Sequence, residues 1–231
     1  MTRSIAFSSL IFGFSVVHAR SHFPFVQTHT FQMEPYLKNT QGYALFVVSS
    51  EFDGTEIIKV RTPNDVVFPD TQKSERTLSQ FSNGMWFISD NERTASAMGG
   101  PLPNGVYEYS ISNVKGTQTI AFPHSNFFLQ LAKDIQIADM GNKFLFSWKA
   151  APEADTFWVF VFPSATNNIL NDLKSVSSVM HQPTWYSLIK SDLKSGTYKV
   201  AIRANRFWEG GTFWALDSEA WSISRESFTV P

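Results

Sequence analysis

Beyond residue 19, no unbroken apolar run in this chain is longer than Phe157 to Phe162, and the apolar runs are short and punctuated by Gly, Pro, Asn and Asp. Runs of that length suit strands, and none could cross a bilayer. The aromatic content points the same way. Twenty-two Phe, 7 Trp and 6 Tyr make up 15% of the 231 residues. Aromatic and β-branched side chains fit a pleated, half-buried surface better than a helix.

Taken in order, Tyr43 to Val48 reads as a dense apolar strand, followed by a turn at Asp53-Gly54 and an alternating strand from Ile57. Residues 71–82 are rich in Ser, Thr, Gln and Lys and read as a loop; a strand resumes at Met85. Val106 to Ile111, a turn at Asn113 to Gly116, and Thr117 to Phe122 form a hairpin pattern. Its first arm places Tyr107, Tyr109 and Ile111 on one face and Glu108 and Ser110 on the other, the period of a half-buried strand. The second half repeats the style. Strands are expected at Phe144–Trp148, Phe157–Phe162, Trp185–Ile189, Tyr198–Arg203 and Trp221–Val230. The run Phe157–Phe162 is apolar enough to be buried on both faces. Residues 168–179 are the helical candidate, since Ile169, Leu170, Leu173 and Val176 fall on one stripe.

The pattern Leu-x-x-Gly-x-Tyr-x-x-x-Ile occurs twice, at Leu102–Ile111 and at Leu193–Ile202, 91 residues apart. Gly relieves a sharp turn, Leu plugs one end of a sandwich, and Tyr starts the next strand with its hydroxyl turned back to the preceding loop. That is a tyrosine corner. Both halves are expected to be sandwiches.

The second half resembles the bacterial fibronectin type III family over roughly residues 124–231. Phe146-Ser-Trp148, the turn containing Pro152, and the aromatic strand with Phe157 and Trp158 are similar to that family's B-to-C segment. Leu193, Gly196 and Tyr198, followed by Val200 and Ile202, resemble its strand F, and Glu219-Ala-Trp221-Ser resembles the start of strand G. Residues 165–180 and the long F–G loop, Arg206 to Ser218, depart from the pattern. The first half is an immunoglobulin-like sandwich by analogy of style alone. The expected fold is all-β: two tandem β-sandwich domains, 22–122 and 123–231, after a cleaved signal peptide at 1–19.

That leader has a positive start at Arg3, an uncharged apolar stretch from Ser4 to Val17, and Val17-His18-Ala19 before a cut at Arg20. The stretch is too short for a span, so no membrane span is expected after its removal. There is no cysteine, which removes thiolate catalysis, Cys-ligated zinc and disulfides. None of the asparagines starts a glycosylation sequon. Export without cysteines or sequons leans towards a bacterial envelope, periplasmic or extracellular. With 19 basic and 20 acidic residues there is no cationic surplus for phosphates, so nucleic acid is not an expected partner.

Catalytic chemistry is sparse. No nucleophile elbow, phosphate loop or dinucleotide turn is present, and once His18 is lost with the leader no two His lie three or four residues apart. No catalytic residue, metal or cofactor is expected. His124 and His181 read as exposed loop residues. The acidic clusters Glu51/Asp53/Glu56 and Asp90/Glu92 lie beside turns and read as turn-stabilising. Trp148, Trp158 and Trp221 read as core, as do Trp86 and Trp185.

The recognition candidates are Phe207, Trp208, Phe213 and Trp214, four aromatics around Gly210-Gly211 in the expected F–G loop. Loops at a sandwich end can present side chains without disturbing the core, and flat aromatics there can stack on sugars or anchor a protein. Inward packing of Phe207 and Trp214 is the alternative. The leading expectation is an exported, non-enzymatic binding or structural module with a protein partner at the envelope. The rivals are a carbohydrate-binding accessory protein using the F–G aromatics and, less favoured, a glycoside hydrolase with a carboxylate pair.

Overall fold

The computed structural model describes residues 25–33, 40–49, 52–69, 71–82, 85–87, 101–164, 177–181, 184–208 and 216–231. Every regular element among them is a strand or a one-turn 3-10 segment. Residues 1–24 lie outside this set, and so does the expected leader.

The chain divides into two compact units, one centred on Gln41–Phe127 and the other on Phe128–Trp214 with Ser218–Pro231. In the first, β1 (Phe25–Met33), β2 (Thr40–Val48), β6 (Met85–Phe87) and β5 (Ser79–Ser82) are neighbours in that order. The facing sheet runs β4 (Glu75–Thr77), β3 (Ile57–Arg61), β7 (Gly105–Asn113), β8 (Gly116–His124). In the second unit, β13 (Trp185–Ile189), β10 (Lys143–Lys149) and β9 (Lys133–Asp139) form one sheet. The other runs β12 (Ser177–His181), β11 (Thr156–Pro163), β14 (Gly196–Phe207), β15 (Leu216–Ile223), with β16 (Phe228–Val230) also on β14. Leaving β5 aside, the connectivity is the same twice: strands one, two and five in one layer, and four, three, six and seven in the other. This is the immunoglobulin and fibronectin type III style of sandwich.

The β7–β8 hairpin falls where its alternation places it. Tyr107, Tyr109 and Ile111 are buried while Val106, Glu108 and Asn113 are exposed. Asn113 pairs with Gly116, and the Asn113 side-chain oxygen accepts the Lys115 N–H, fixing the two-residue turn. Across the layers of the second unit, Phe228 packs on Phe144 at 4.4 Å and on Phe146 at 5.4 Å, and Trp148 meets Phe157 edge-on at 5.6 Å. The central strand β11 is covered on both faces: Phe157, Val159 and Val161 point to the core, and Phe160 and Phe162, on the opposite face, are buried as well.

Both repeats of the ten-residue pattern are tyrosine corners. The Tyr107 hydroxyl donates to the Pro103 carbonyl at 3.0 Å and the Tyr198 hydroxyl to the Lys194 carbonyl at 2.8 Å, each four residues back. Leu102 and Leu193 are buried beneath them. Burial pushes the Tyr107 phenol well above its ordinary range, so it stays a hydrogen-bond donor.

Two local expectations fail. Residues 71–82 carry strands β4 and β5, because a polar strand can be held at a sheet edge by cross-strand pairs rather than apolar alternation; here Lys59 and Glu75 meet at 2.8 Å. The end of the helical candidate, 177–179, is strand: Ser177, Ser178 and Val179 pair with Val161, Phe160 and Val159 of β11. Sheet pairing there overrides the weak helical stripe. Residues 168–176 lie outside the described set.

Candidate recognition rim at the base of the F–G loop

The twelve-residue strand β14 ends at Phe207, where it meets the tight turn between β10 and β11. Ala154 N–H donates to the Ala151 carbonyl, and Glu153 takes a left-handed conformation (φ 66°). That turn leaves two carboxylates directed at β14. Asp155 accepts the Phe207 backbone N–H at 2.8 Å, and its own N–H donates to the Asn205 carbonyl at 2.8 Å. Glu153 meets the Arg206 guanidinium at 3.0 Å. The pair is mostly solvated and adds little stability. Its effect is positional: the strand end that launches the F–G loop is held to the neighbouring loop at two points.

Of the four candidate aromatics, Phe207 and Trp208 are half-buried at this strand end, and the Trp208 indole nitrogen is shielded from solvent. Phe213 and Trp214 lie outside the described residues. The rim therefore presents Arg206, Phe207 and Trp208 beside Glu153 and Asp155, a mixed aromatic and charged edge. No member of that set is a matched acid–base or nucleophile–base pair. The geometry supports binding chemistry: stacking, one cation, two carboxylates.

The sheet behind the rim holds a second aromatic constellation. On the outer face of β11 and β14, the Arg203 guanidinium lies 5.0 Å from the Trp158 ring and 5.4 Å from the Trp221 ring. Phe160 stacks on both Trp158 (6.0 Å) and Trp221 (5.0 Å). Glu219 meets Arg203 at 3.4 Å, with both side chains about as buried as core residues (3% and 5% exposed). Desolvation lowers the affinity of Arg203 for its proton and Glu219 opposes that shift. This ladder is a packing device, and Trp158 in it is half-buried rather than fully enclosed.

Other residues singled out by sequence fall elsewhere. Glu56 is a buried turn cap accepting the N–H groups of Asp53 (3.1 Å) and Gly54 (3.0 Å). Asp53 accepts from Thr55, whose hydroxyl at 2.6 Å is the main cause of a lowered carboxyl pKa. Glu51, Asp90 and Glu92 lie outside the described residues. His124 is no exposed loop residue. It ends β8 at 3% exposure, edge-on to Tyr43 (5.6 Å) and Tyr107 (5.5 Å), so its ring is a core filler. His181 lies on β12, pairing with Phe157.

Trp185 corrects the sequence reading in the opposite direction. It is 52% exposed. The signal lies in the alternation of Trp185-Tyr-Ser-Leu-Ile189: Leu188 is buried and Tyr186 stacks on core Phe146, so Trp185, Ser187 and Ile189 must face outward.

Neither protein-family models nor characterised proteins yield a match to this chain. Among solved structures it is similar to a cytokine receptor complex in one crystal form, at 10% identity over 89% of this chain and 96% of that one, TM-score 0.35. A second crystal form of such a complex gives 8% identity over 87% and 99%, TM-score 0.35. The fibronectin domains FN1–FN3 of chicken CNTN1 give 12% identity over 88% of this chain and 63% of that one, TM-score 0.34. The fold assignment rests on the strand order and the two tyrosine corners.

Proposed function

We propose that this chain is an exported, non-enzymatic binding module of a bacterial envelope, and that the rim formed by Glu153, Asp155, Arg206, Phe207 and Trp208 engages a protein partner. The observation that carries the reading is the two-point fixing of β14 at its end, through Arg206–Glu153 and Phe207–Asp155. A fixed platform loses less entropy on binding than a free loop, and aromatic and Arg side chains are what interface centres favour. The same half-exposed aromatics suit a sugar face, which keeps carbohydrate as the second reading.

Pull-down from envelope extracts with the whole chain tests the first reading. A Trp208→Ala variant that melts like the parent should lose at least about tenfold of the captured partner signal. Equal capture by both proteins would remove the rim from the binding surface, and Trp208-dependent binding on a neutral glycan array would favour sugar. For export, protein recovered from an envelope fraction should begin at Arg20 by mass spectrometry. An intact Met1 terminus on that material would sink the leader assignment.

A further inference from the structure

The outer face of the β9–β10–β13 sheet carries chemistry that the rim does not use. Register fixes which side chains share it. Ser147 pairs with Trp185 on one side and Gln136 on the other, and Leu145 with Ser187 and Ala138; Lys143 pairs with Ile189. Trp185 and Ile189 are 52% and 53% exposed, while Leu145, Ser147 and Ser187 are half-buried between them. The centre is thus one indole with small hydroxyl and amide side chains at the same level.

The cationic ends of this face arise from a specific backbone event. Between Ser147 and Lys149 the β9–β10 register slips, so that two steps on β10 match three on β9. Asp134, at the extra residue, is left-handed (φ 53°). Strict alternation from Gln136 would turn Lys133 towards the core. The bulge instead sets Lys133 directly opposite Lys149, on the outer face. Like charges opposed across strands are unfavourable. Neither lysine has an ion-pair partner among the described residues, and the nearby Asp139 is committed to Lys190 at 2.6 Å. Lys143, exposed at the other end of β10, has no ion-pair partner among them either.

We infer that this sheet face is a second binding surface, for an acidic glycan: Trp185 stacks on a sugar ring, Gln136, Ser147 and Ser187 meet its hydroxyls, and Lys133, Lys149 and Lys143 receive its carboxylate or sulfate groups. The charge arrangement calls for an anion. The polar centre distinguishes among anionic partners. Ser and Gln in mid-face would lie unpaired against a membrane or an apolar protein surface, whereas sugar hydroxyls both donate and accept.

The test uses the whole chain with size-defined oligogalacturonate, a uronic acid homopolymer, alongside dextran and phosphatidylglycerol vesicles. Oligogalacturonate should bind, dextran should not, and the affinity should fall as salt is raised. Trp185→Ala and Lys149→Glu should each weaken binding at least about tenfold, while Lys115→Glu, in the exposed β7–β8 turn of the first sandwich, leaves it unchanged. Lys149→Glu replaces an opposed pair of like charges, so it should melt at or above the parent temperature while losing the ligand, separating lost recognition from lost fold. Absent oligogalacturonate binding, equal binding of dextran, indifference to both face variants, or vesicle binding that those variants abolish would each overturn the assignment.

Discussion

Arg203→Ala is expected to be among the most damaging single changes in the second sandwich, at about 3–5 kcal/mol. The loss is not that of the ion pair's net value. Removing the guanidinium leaves the Glu219 carboxylate inside the fold at 5% exposure without its cation, and it opens a slot between the Trp158 and Trp221 rings. The uncompensated charge is the larger cost. A double variant, Arg203→Leu with Glu219→Leu, removes both charges and refills part of the space. It should recover most of the lost stability, because a buried ion pair replaced by apolar groups of similar volume is often neutral or better. Chemical denaturation of the parent, Arg203→Leu, Glu219→Leu and the double variant gives the coupling energy directly. If the double variant is as unstable as Arg203→Ala, the ladder is held by its stacking geometry and not by charge compensation.

In the first sandwich the comparable position is a glycine. Gly105 opens β7 with φ +131°, and a Cβ placed there would lie 2.8 Å from Pro63 Cβ and 2.9 Å from its Cγ. Pro63 is buried, and its ring cannot rotate away. Gly105→Ala combines a forbidden backbone region with a hard contact, for an expected loss of about 3–5 kcal/mol. Gly116, in the hairpin turn, has nearly the same φ (+133°), but a methyl group added there would meet nothing within 4 Å. Gly116→Ala should therefore show the backbone cost alone, about 1–2 kcal/mol. The difference between the two denaturation midpoints measures the Pro63 contact, and Pro63→Gly in the Gly105→Ala background should return part of it. Equal losses at the two glycines would show that Pro63 gives way.

The all-β class is legible because two signals agree: period-two alternation in the hairpin and a repeated corner pattern whose letters each have a separate mechanical use. Leu102, Gly105 and Tyr107 reappear as Leu193, Gly196 and Tyr198 because a plug, a permissive turn and a hydroxyl latch are all local requirements. Features decided by neighbours distant in sequence are not legible in this way. Strands β4 and β5 are polar, and nothing in 71–82 says that Lys59 waits across the sheet for Glu75. His124 becomes a core residue only because Tyr43 and Tyr107 enclose it. For the site, Phe207 and Trp208 stand out by composition, but the Asp155 and Glu153 contacts that fix them depend on a turn roughly fifty residues earlier. Residue type alone misplaces Trp185, although the alternation around it points outward.

The stretch Phe157 to Phe162 that anchors the second sandwich has a further consequence. It is uncharged, proline-free and strongly β-prone, the signature of a segment that polymerises when exposed. In the native fold β12 and β14 occupy both of its edges. Asp155 precedes it and Pro163 terminates it, so a charge and a ring without an amide hydrogen stand as gatekeepers on either side. In a newly made chain β12 can cover one edge, but the other stays open until β14, which begins at Gly196, arrives. Any delay in that arrival lengthens the time for which the open edge can template pairing with another chain.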